Sequence, residues 1–290
     1  MRQAGRSLPE YREVRAGIPM LEACLDPALA AEITLQPVRR HGVDAAIFFS
    51  DIVVPVKCAG VDVVITPGVG PVVAEPFAAQ SDLSRLPTPT PDMFDAVAAG
   101  VRATVAELGA TPLIGFAGAP FTVASYLIEG GPSRDLPRTK AMIIREPELF
   151  SALLGRLADL AAAFLRVQIL AGASAMQLFD SWVGALPARL YREHVLPHSE
   201  RVFAQVADLG VPRVHFGVGA NHLAVDMAGA GCDVLGVDFR VDLDQVDPGI
   251  RDRMPLQGNL DPAVLLTDEA TIEAEVRRVL AAGRGLRGHV

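Results

Sequence analysis

The chain has 290 residues, of which half are hydrophobic and about a fifth are charged, with a formal net charge of −8. This composition, without a signal-peptide pattern at the start, is typical of a globular cytoplasmic protein. The acidic balance argues against a surface for nucleic acid or anionic membrane, because both bind broad basic faces, so any anion site must be local.

The chain opens with four arginines in its first fifteen residues: Arg2, Arg6, Arg12 and Arg15. A guanidinium grips a carboxylate through two parallel hydrogen bonds and keeps its charge at physiological pH. The intervening Gln3-Ala4-Gly5 is small enough to expose backbone N–H groups beside these side chains. Two interpretations stay open, an anion site or a solvated basic arm.

Six short apolar runs predict β-strands, because each ends in small or polar residues and most precede an amphipathic helix pattern. The runs are Ala45 to Phe49, Leu113 to Phe116, Ala175 to Phe179, Arg213 to Phe216, Val234 to Val237 and Leu256 to Gly258. Helix starts at Pro27, Pro91 and Pro147 predict helices that end near His41, Gly109 and Gly172. This alternation indicates parallel βα units.

Polar or small residues follow nearly every predicted strand, as at Ser50-Asp51, Asp180-Ser181 and Asn259. A (β/α)8 TIM-type barrel needs that distribution, whereas a doubly wound sheet collects such residues at one switch point. We therefore expect a single barrel domain over residues 1–290. The barrel is expected to be incomplete, since the last strand units are missing after Val290. Segment Val61 to Val73 predicts a hairpin outside the barrel.

Asp51 directly follows the first strand, where it is either a cap for the next segment or a partly desolvated anion that balances a cation on a substrate. Tyr126 lies in a predicted helix and is, on sequence alone, a core anchor. The loop Gly130 to Arg134 is either a lid or a connection between helices. Ser181 has no nucleophile pattern and is expected to donate a hydrogen bond.

Other motifs carry little chemistry. Gly217-Val218-Gly219 resembles the start of a dinucleotide fingerprint, but His222 replaces the third glycine, so we expect a tight turn. The three cysteines lie far apart and form no C-x-x-C pair. His194 and His198 are four residues apart with a proline between them, and structural histidines are expected rather than metal ligands.

Several motifs in this order resemble the uroporphyrinogen decarboxylase family over the whole chain. They are MRQAGR and LPEYR within 1–12, TLQP at 34–37, FSDI at 49–52, GFAGAPFT at 115–122, SYLIEGGPS at 125–133, QLFDSW at 177–182 and QGNLDP at 257–262. The resemblance implies a barrel homodimer that removes carbon dioxide from the four acetate arms of uroporphyrinogen III. The product is coproporphyrinogen III of haem biosynthesis, formed without a metal or organic cofactor.

The resemblance also assigns residues. Asp51 would face the pyrrole N–H groups and stabilise the developing cation, and Arg2 and Tyr126 complete the expected catalytic set. Arg2 is proposed in the family as a proton donor, although its high pKa makes that role awkward. The expected substrate-binding residues are Arg2, Gln3, Ala4, Gly5, Arg6, Arg15, Ile47, Phe49, Asp51, Tyr126, Phe179 and Ser181.

The chain departs from the family pattern at its ends. Family members continue past His289-Val290 into a segment whose histidine contacts substrate, so we expect a fragment shortened at both ends, chiefly at the C-terminus. Two alternatives remain. One is a related cobamide-dependent methyltransferase barrel, which would need a zinc-bound thiolate where His215-Phe216-Gly217 offers glycine. The other is an inactive fragment that binds tetrapyrroles.

Overall fold

The computed structural model of the chain describes residues 4–290. Its strands are β1 Ala46–Ile47, β2 Val63–Thr66, β3 Gly70–Val73, β4 Leu113–Gly118, β5 Ala175–Asp180, β6 Arg213–Gly217, β7 Val234–Gly236 and β8 Leu256–Gln257. Its α-helices are α1 Pro9–Val14, α2 Met20–Leu25, α3 Pro27–His41, α4 Val54–Cys58, α5 Asp95–Leu108, α6 Pro120–Glu129, α7 Pro137–Arg145, α8 Pro147–Leu170, α9 Ala188–His194, α10 Leu196–Val206, α11 Ala224–Gly229, α12 Pro248–Arg251 and α13 Glu269–Gly283.

The main sheet has the strand order β1-β4-β5-β6-β7-β8, and every neighbouring pair is parallel. Each of the six predicted strands is present, and the sheet is curled into half of a barrel. Beyond β8, Leu256 pairs in parallel with His289, and the Val290 N–H donates to the Leu256 carbonyl over 3.0 Å. The residues around His289 therefore lie along the edge of β8.

The helix starts follow the sequence signals. Asp26 accepts a hydrogen bond from the Leu29 N–H over 2.9 Å at the start of α3, as an N-cap does. The helix predicted from Pro91 begins with a turn of 3-10 helix at Pro91–Phe94 and continues as α5. Within residues 4–290, no helix is long and apolar enough to cross a membrane.

The predicted hairpin forms outside the sheet. β2 and β3 pair antiparallel, with Thr66 opposite Gly70 at the tip. The hairpin rests on the end of α6, because the Val73 N–H donates to the Gly130 carbonyl over 3.0 Å. Gly130 itself ends α6 in the left-handed region at φ 83°, which a glycine adopts without steric cost. The Gly130 to Arg134 loop connects α6 to α7.

Strand β1 pairs with β4 over only two residues, and beyond them a glutamine side chain from α8 forms the hydrogen bonds to the β4 backbone. β1 pairs with β4 only as far as Ile47 opposite Ile114, although the Phe48 N–H still donates to the Ile114 carbonyl. Two residues further along β4, the side chain of Gln168 on α8 accepts a hydrogen bond from the Phe116 N–H and donates one to the Phe116 carbonyl, both over 3.0 Å. The backbone of β4 stays satisfied, so the chain can leave β1 toward Asp51.

Candidate functional site

A cavity of about 710 Å³ opens near the carboxyl ends of β1, β4 and β5. It is lined by Arg6, Arg15, Met20, Ile47, Phe48, Ser50, Asp51, Ile52, Ile65, Thr66, Pro67, Gly68, Val69, Gly70, Pro71, Phe116, Tyr126, Phe179 and Ser181. Seven of the substrate-binding residues expected from the sequence are brought together here: Arg6, Arg15, Ile47, Asp51, Tyr126, Phe179 and Ser181. Arg2 and Gln3 lie outside the described residues, and so do the side chains of Ala4 and Gly5.

Two arginines form the basic wall of the cavity. Arg6 lies in the 3-10 turn Ala4–Ser7, and its guanidinium carbon is 5.8 Å from the centre of the Phe49 ring. Arg15 ends α1, with its guanidinium carbon 5.5 Å from the centre of the Tyr11 ring. Cations over aromatic faces are attracted by the ring quadrupole. Each guanidinium thus lies over an aromatic ring at the cavity wall.

Phe49, which was expected to contact substrate, is not in the cavity lining. Its side chain is fully buried and packs edge-to-face against Tyr11, with ring centres 6.0 Å apart. Its backbone N–H donates to Thr34 Oγ1 over 2.9 Å. Phe49 therefore supports Arg6 from behind, and its contact with substrate stays a prediction.

Asp51 occupies the wall between the arginines and the aromatic floor. Burial raises the pKa of the Asp51 carboxyl, while the Val53 N–H and the positive charge of Arg6 act in the opposite direction. The Val53 N–H donates to Asp51 Oδ1 over 3.2 Å, so the residue also caps the turn that follows. The same carboxylate therefore makes a turn contact and lines the cavity, and its role toward a cation on a substrate stays a prediction.

Tyr126 faces the cavity from α6 and is half-buried, which differs from the core anchor expected from sequence alone. Burial raises the pKa of its hydroxyl, hydrogen bonding from the Trp182 side chain lowers it, and the Asp51 carboxylate raises it again. The hydroxyl therefore remains protonated at neutral pH, so it can donate a hydrogen bond to a ligand.

The cavity floor is aromatic. Phe116 and Phe179 pack edge-to-face with ring centres 5.4 Å apart, and Phe179 packs in the same way on Phe216 at 6.0 Å. The three rings sit on neighbouring strands and point to the concave face of the sheet. Sequence reasoning missed Phe116 within the GFAGAPFT motif, although the two-residue alternation of β4 could have found it.

The hairpin supplies the wall opposite the floor, from Ile65 to Pro71. Sequence reasoning placed this segment outside the barrel but did not assign it to the site. Its Thr66-Pro67-Gly68 tip carries no titratable group, so no chemical signal marked it. The hairpin packs on the end of α6 beside the cavity, where the Pro71 carbonyl oxygen would lie 3.6 Å from a β-carbon placed at Gly131, an ordinary van der Waals distance.

The histidine and cysteine placements do not build a metal site in residues 4–290, where no group of three His, Cys, Asp or Glu side chains could hold an ion. His215 is fully buried against the Phe203 ring, on the helix-facing side of β6. Gly219 adopts φ 62° in the tight turn expected after β6.

The comparisons with known proteins agree with the motifs. The family model for uroporphyrinogen decarboxylase matches residues 1–290. Proteins named uroporphyrinogen decarboxylase from Streptomyces coelicolor and Rhodococcus erythropolis are 60% and 59% identical over all of this chain, which spans 82% and 83% of their lengths. A solved methyltransferase from Methanosarcina mazei has a TM-score of 0.79 at 21% identity, covering 97% of this chain and 83% of its own, and that likeness shows the fold alone. The chain belongs to the uroporphyrinogen decarboxylase family.

Proposed function

We propose that this chain is a carboxy-lyase that converts the four acetate side chains of uroporphyrinogen III to methyl groups, giving coproporphyrinogen III and carbon dioxide. Family membership supports the reaction. The observation that carries the proposal is one cavity in which two guanidiniums, Arg6 and Arg15, face the same space as a single desolvated carboxylate, Asp51. That arrangement suits a ligand with acidic arms around N–H donors.

The substrate itself can take the electrons. Protonation of a pyrrole ring carbon makes the ring an iminium, and the bond from the acetate methylene to its carboxylate then breaks. Its electron pair neutralises the iminium, carbon dioxide leaves, and an exocyclic methylene remains. A proton added to that methylene and the loss of the ring-carbon proton restore a pyrrole that carries a methyl group. This chemistry requires no metal or organic cofactor.

The residues divide that work by charge. Asp51 would accept hydrogen bonds from the pyrrole N–H groups. It would also stabilise the iminium cation, because an anion in a site of low dielectric attracts a cation strongly. Arg6 and Arg15, with Arg2, Gln3, Ala4 and Gly5 of the same N-terminal segment, would bind the acid arms.

Other residues would orient the reacting ring. Tyr126 and Ser181 would act by hydrogen bonds, and Ile47, Phe49 and Phe179 by apolar contact. Arg2 and Tyr126 complete the proposed catalytic set.

The architecture we propose is a single domain over residues 1–290, a (β/α)8 TIM-type barrel of which the six-stranded sheet is part. Family resemblance further suggests a homodimer in the cytoplasm. Sedimentation equilibrium of the purified chain tests the dimer.

The reaction is tested by incubating the purified chain with uroporphyrinogen III without oxygen and separating the oxidised porphyrins chromatographically. We expect coproporphyrin to accumulate through intermediates with seven, six and five carboxylates. A second sample carries the remaining C-terminal segment of the Streptomyces coelicolor relative. Product only from the extended sample supports an inactive tetrapyrrole-binding fragment, and no product from either folded sample overturns the proposal.

A further inference from the structure

The turn that follows β5 is tied to helix α6 by one buried hydroxyl. Thr122 Oγ1 donates to Asp180 Oδ1 over 2.7 Å and accepts from the Trp182 backbone N–H over 3.2 Å. Thr122 and Asp180 have no solvent exposure. Ser181, the residue between Asp180 and Trp182, lines the cavity.

The carboxyl of Asp180 is fully buried, which is energetically unfavourable for an ionisable group. Along β5 the side chains alternate, so Phe179 faces the cavity and Asp180 faces the helices. Within residues 4–290, Asp180 forms no ion pair, and Oδ2 has no hydrogen-bond partner in the protein. Burial raises the pKa of this carboxyl to about 7. A buried polar atom without a hydrogen-bond partner lowers the stability of the fold, so its presence calls for a functional explanation.

The same hydroxyl is linked to the tyrosine of the site. Thr122 and Tyr126 are four residues apart on α6 and therefore share one face of the helix. The Trp182 ring packs edge-to-face on the Tyr126 ring, with centres 5.8 Å apart. Tyr126 is thus fixed along its own helix and from its side by the turn that carries Ser181.

The far side of the turn is equally constrained. Residues Val183–Ala185 form a 3-10 turn whose Gly184 lies so close to the next loop that a β-carbon there would be 2.3 Å from the Val218 carbonyl oxygen. The His222 ring meets the Leu186 carbonyl over 2.8 Å. On the side of α6, the turn is held by the hydrogen bond to Thr122 and by the contact between the Trp182 and Tyr126 rings.

We propose that Thr122, Asp180 and Trp182 form a positioning unit that fixes Tyr126 and Ser181 relative to each other on the cavity wall. None of the three lines the cavity, so they act through the two residues that do. This inference rests on the proposed decarboxylation for its catalytic readout. It also has a readout that does not depend on activity. Trp182 is the only tryptophan in the chain, so its fluorescence reports the geometry of the turn directly.

The test compares Thr122→Val, which keeps the volume but removes the bridging hydroxyl, with Thr122→Ser, which keeps the hydroxyl. We expect Thr122→Val to lower kcat about tenfold with KM changed less than about threefold, since small misplacements of orienting groups cost rate. The emission maximum and anisotropy of Trp182 should shift in Thr122→Val. Thr122→Ser should restore both readouts toward those of the unchanged chain.

Circular dichroism and thermal melting establish that both variants are folded. Equal loss of kcat in the two variants, or an unchanged kcat in folded Thr122→Val, overturns the positioning unit. If the unchanged chain makes no coproporphyrinogen, the proposed function fails, and the emission of Trp182 still decides the inference. Identical Trp182 spectra in all three proteins would then overturn it.

Discussion

Asp51 is expected to take part in catalysis, and its buried charge lowers the stability of the folded protein. Burial raises the pKa of its carboxyl, which means that the folded protein disfavours the charged form. In Asp51→Asn we expect kcat to fall by about 100-fold or more, with KM changed much less, because an electrostatic stabiliser acts in the transition state. The unfolding free energy at neutral pH should rise, since the neutral amide removes a desolvated anion.

Steady-state kinetics and chemical denaturation of the two proteins measure these changes. In the unchanged chain, kcat/KM should fall as the pH drops through the raised pKa of Asp51, above the usual aspartate value of about 3.9. An unchanged turnover in Asp51→Asn would remove the electrostatic role. A loss of stability instead would show that the cap on the Val53 N–H is its main contribution.

Arg6 offers a test of the acid-arm contact with a control on the same segment. Its side chain lines the cavity, whereas Arg12 is exposed and lies outside the lining. Arg6→Gln should raise KM by about tenfold, because a charge-assisted hydrogen bond contributes about 1.5–3 kcal/mol. Arg12→Gln should leave KM within about twofold of its original value. Equal effects in the two variants would indicate general attraction by the N-terminal charges instead of a specific contact.

Individual residues were predictable from sequence where position in a strand decides their role. Asp51 and Ser181 follow strand ends, and both reach the cavity mouth. Asp180 was grouped with them as a polar strand end, but it is the last residue of β5, and alternation turns its side chain to the helices. Phe49 lies two residues beyond β1 and packs on Tyr11, and its contact with substrate stays a prediction. A one-residue uncertainty in a strand end reverses the side on which a residue lies.

Among the elements, the turn after β5 is the most tightly packed near the site. In Gly184→Ala the new methyl group would meet the Val218 carbonyl oxygen, a backbone atom that cannot move alone. We expect a loss of about 1–3 kcal/mol in unfolding free energy and a lower kcat, because Ser181 and Trp182 move with the turn. Thermal melting and the decarboxylation assay measure both.

The matched control is Gly229→Ala at the end of α11, where nothing lies within 4 Å of an added β-carbon and φ is not positive. Alanine there should leave the unfolding free energy within about 1 kcal/mol, on the stabilising side. If Gly184→Ala behaves like Gly229→Ala, the turn can adjust and does not hold Ser181 in place.

The order of elements was largely predictable, because parallel strands and their helices leave apolar runs and capping signals in the sequence. All six strands of the main sheet and the helices starting at Pro27 and Pro147 followed from these local patterns. The contribution of the hairpin to the cavity could not be predicted in this way. It depends on packing of the hairpin against the end of α6, as in the hydrogen bond between Val73 and Gly130 about 60 residues apart, and neither residue has reactive chemistry.

At the scale of the whole molecule, the net charge of −8 opposes the local charge of the cavity. Charges more than about 10 Å apart are screened by about 0.1 M salt, whereas close contacts are screened less. For a substrate with eight carboxylates, kcat/KM should first rise with added salt, as repulsion by the distant carboxylates is screened. It should then fall toward about 1 M salt, as the arginine contacts weaken. A salt series in the decarboxylation assay measures the curve.

Arg6→Gln is the informative comparison in that series, since it removes one of the contacts that salt weakens at high concentration. Its falling limb should be shallower than that of the unchanged chain, while the rising limb stays the same. A curve that falls throughout in both proteins would show that the net charge has no influence on substrate capture.

Few side chains could replace Gln168, the residue of α8 that forms hydrogen bonds to the backbone of β4. Its amide accepts from the Phe116 N–H and donates to the Phe116 carbonyl at once, from a fully buried position. Glutamate lacks the donor, methionine lacks both groups, and asparagine is one methylene too short. In a saturation library of the gene, position 168 should therefore tolerate few substitutions, although Gln168 is not among the residues that line the cavity.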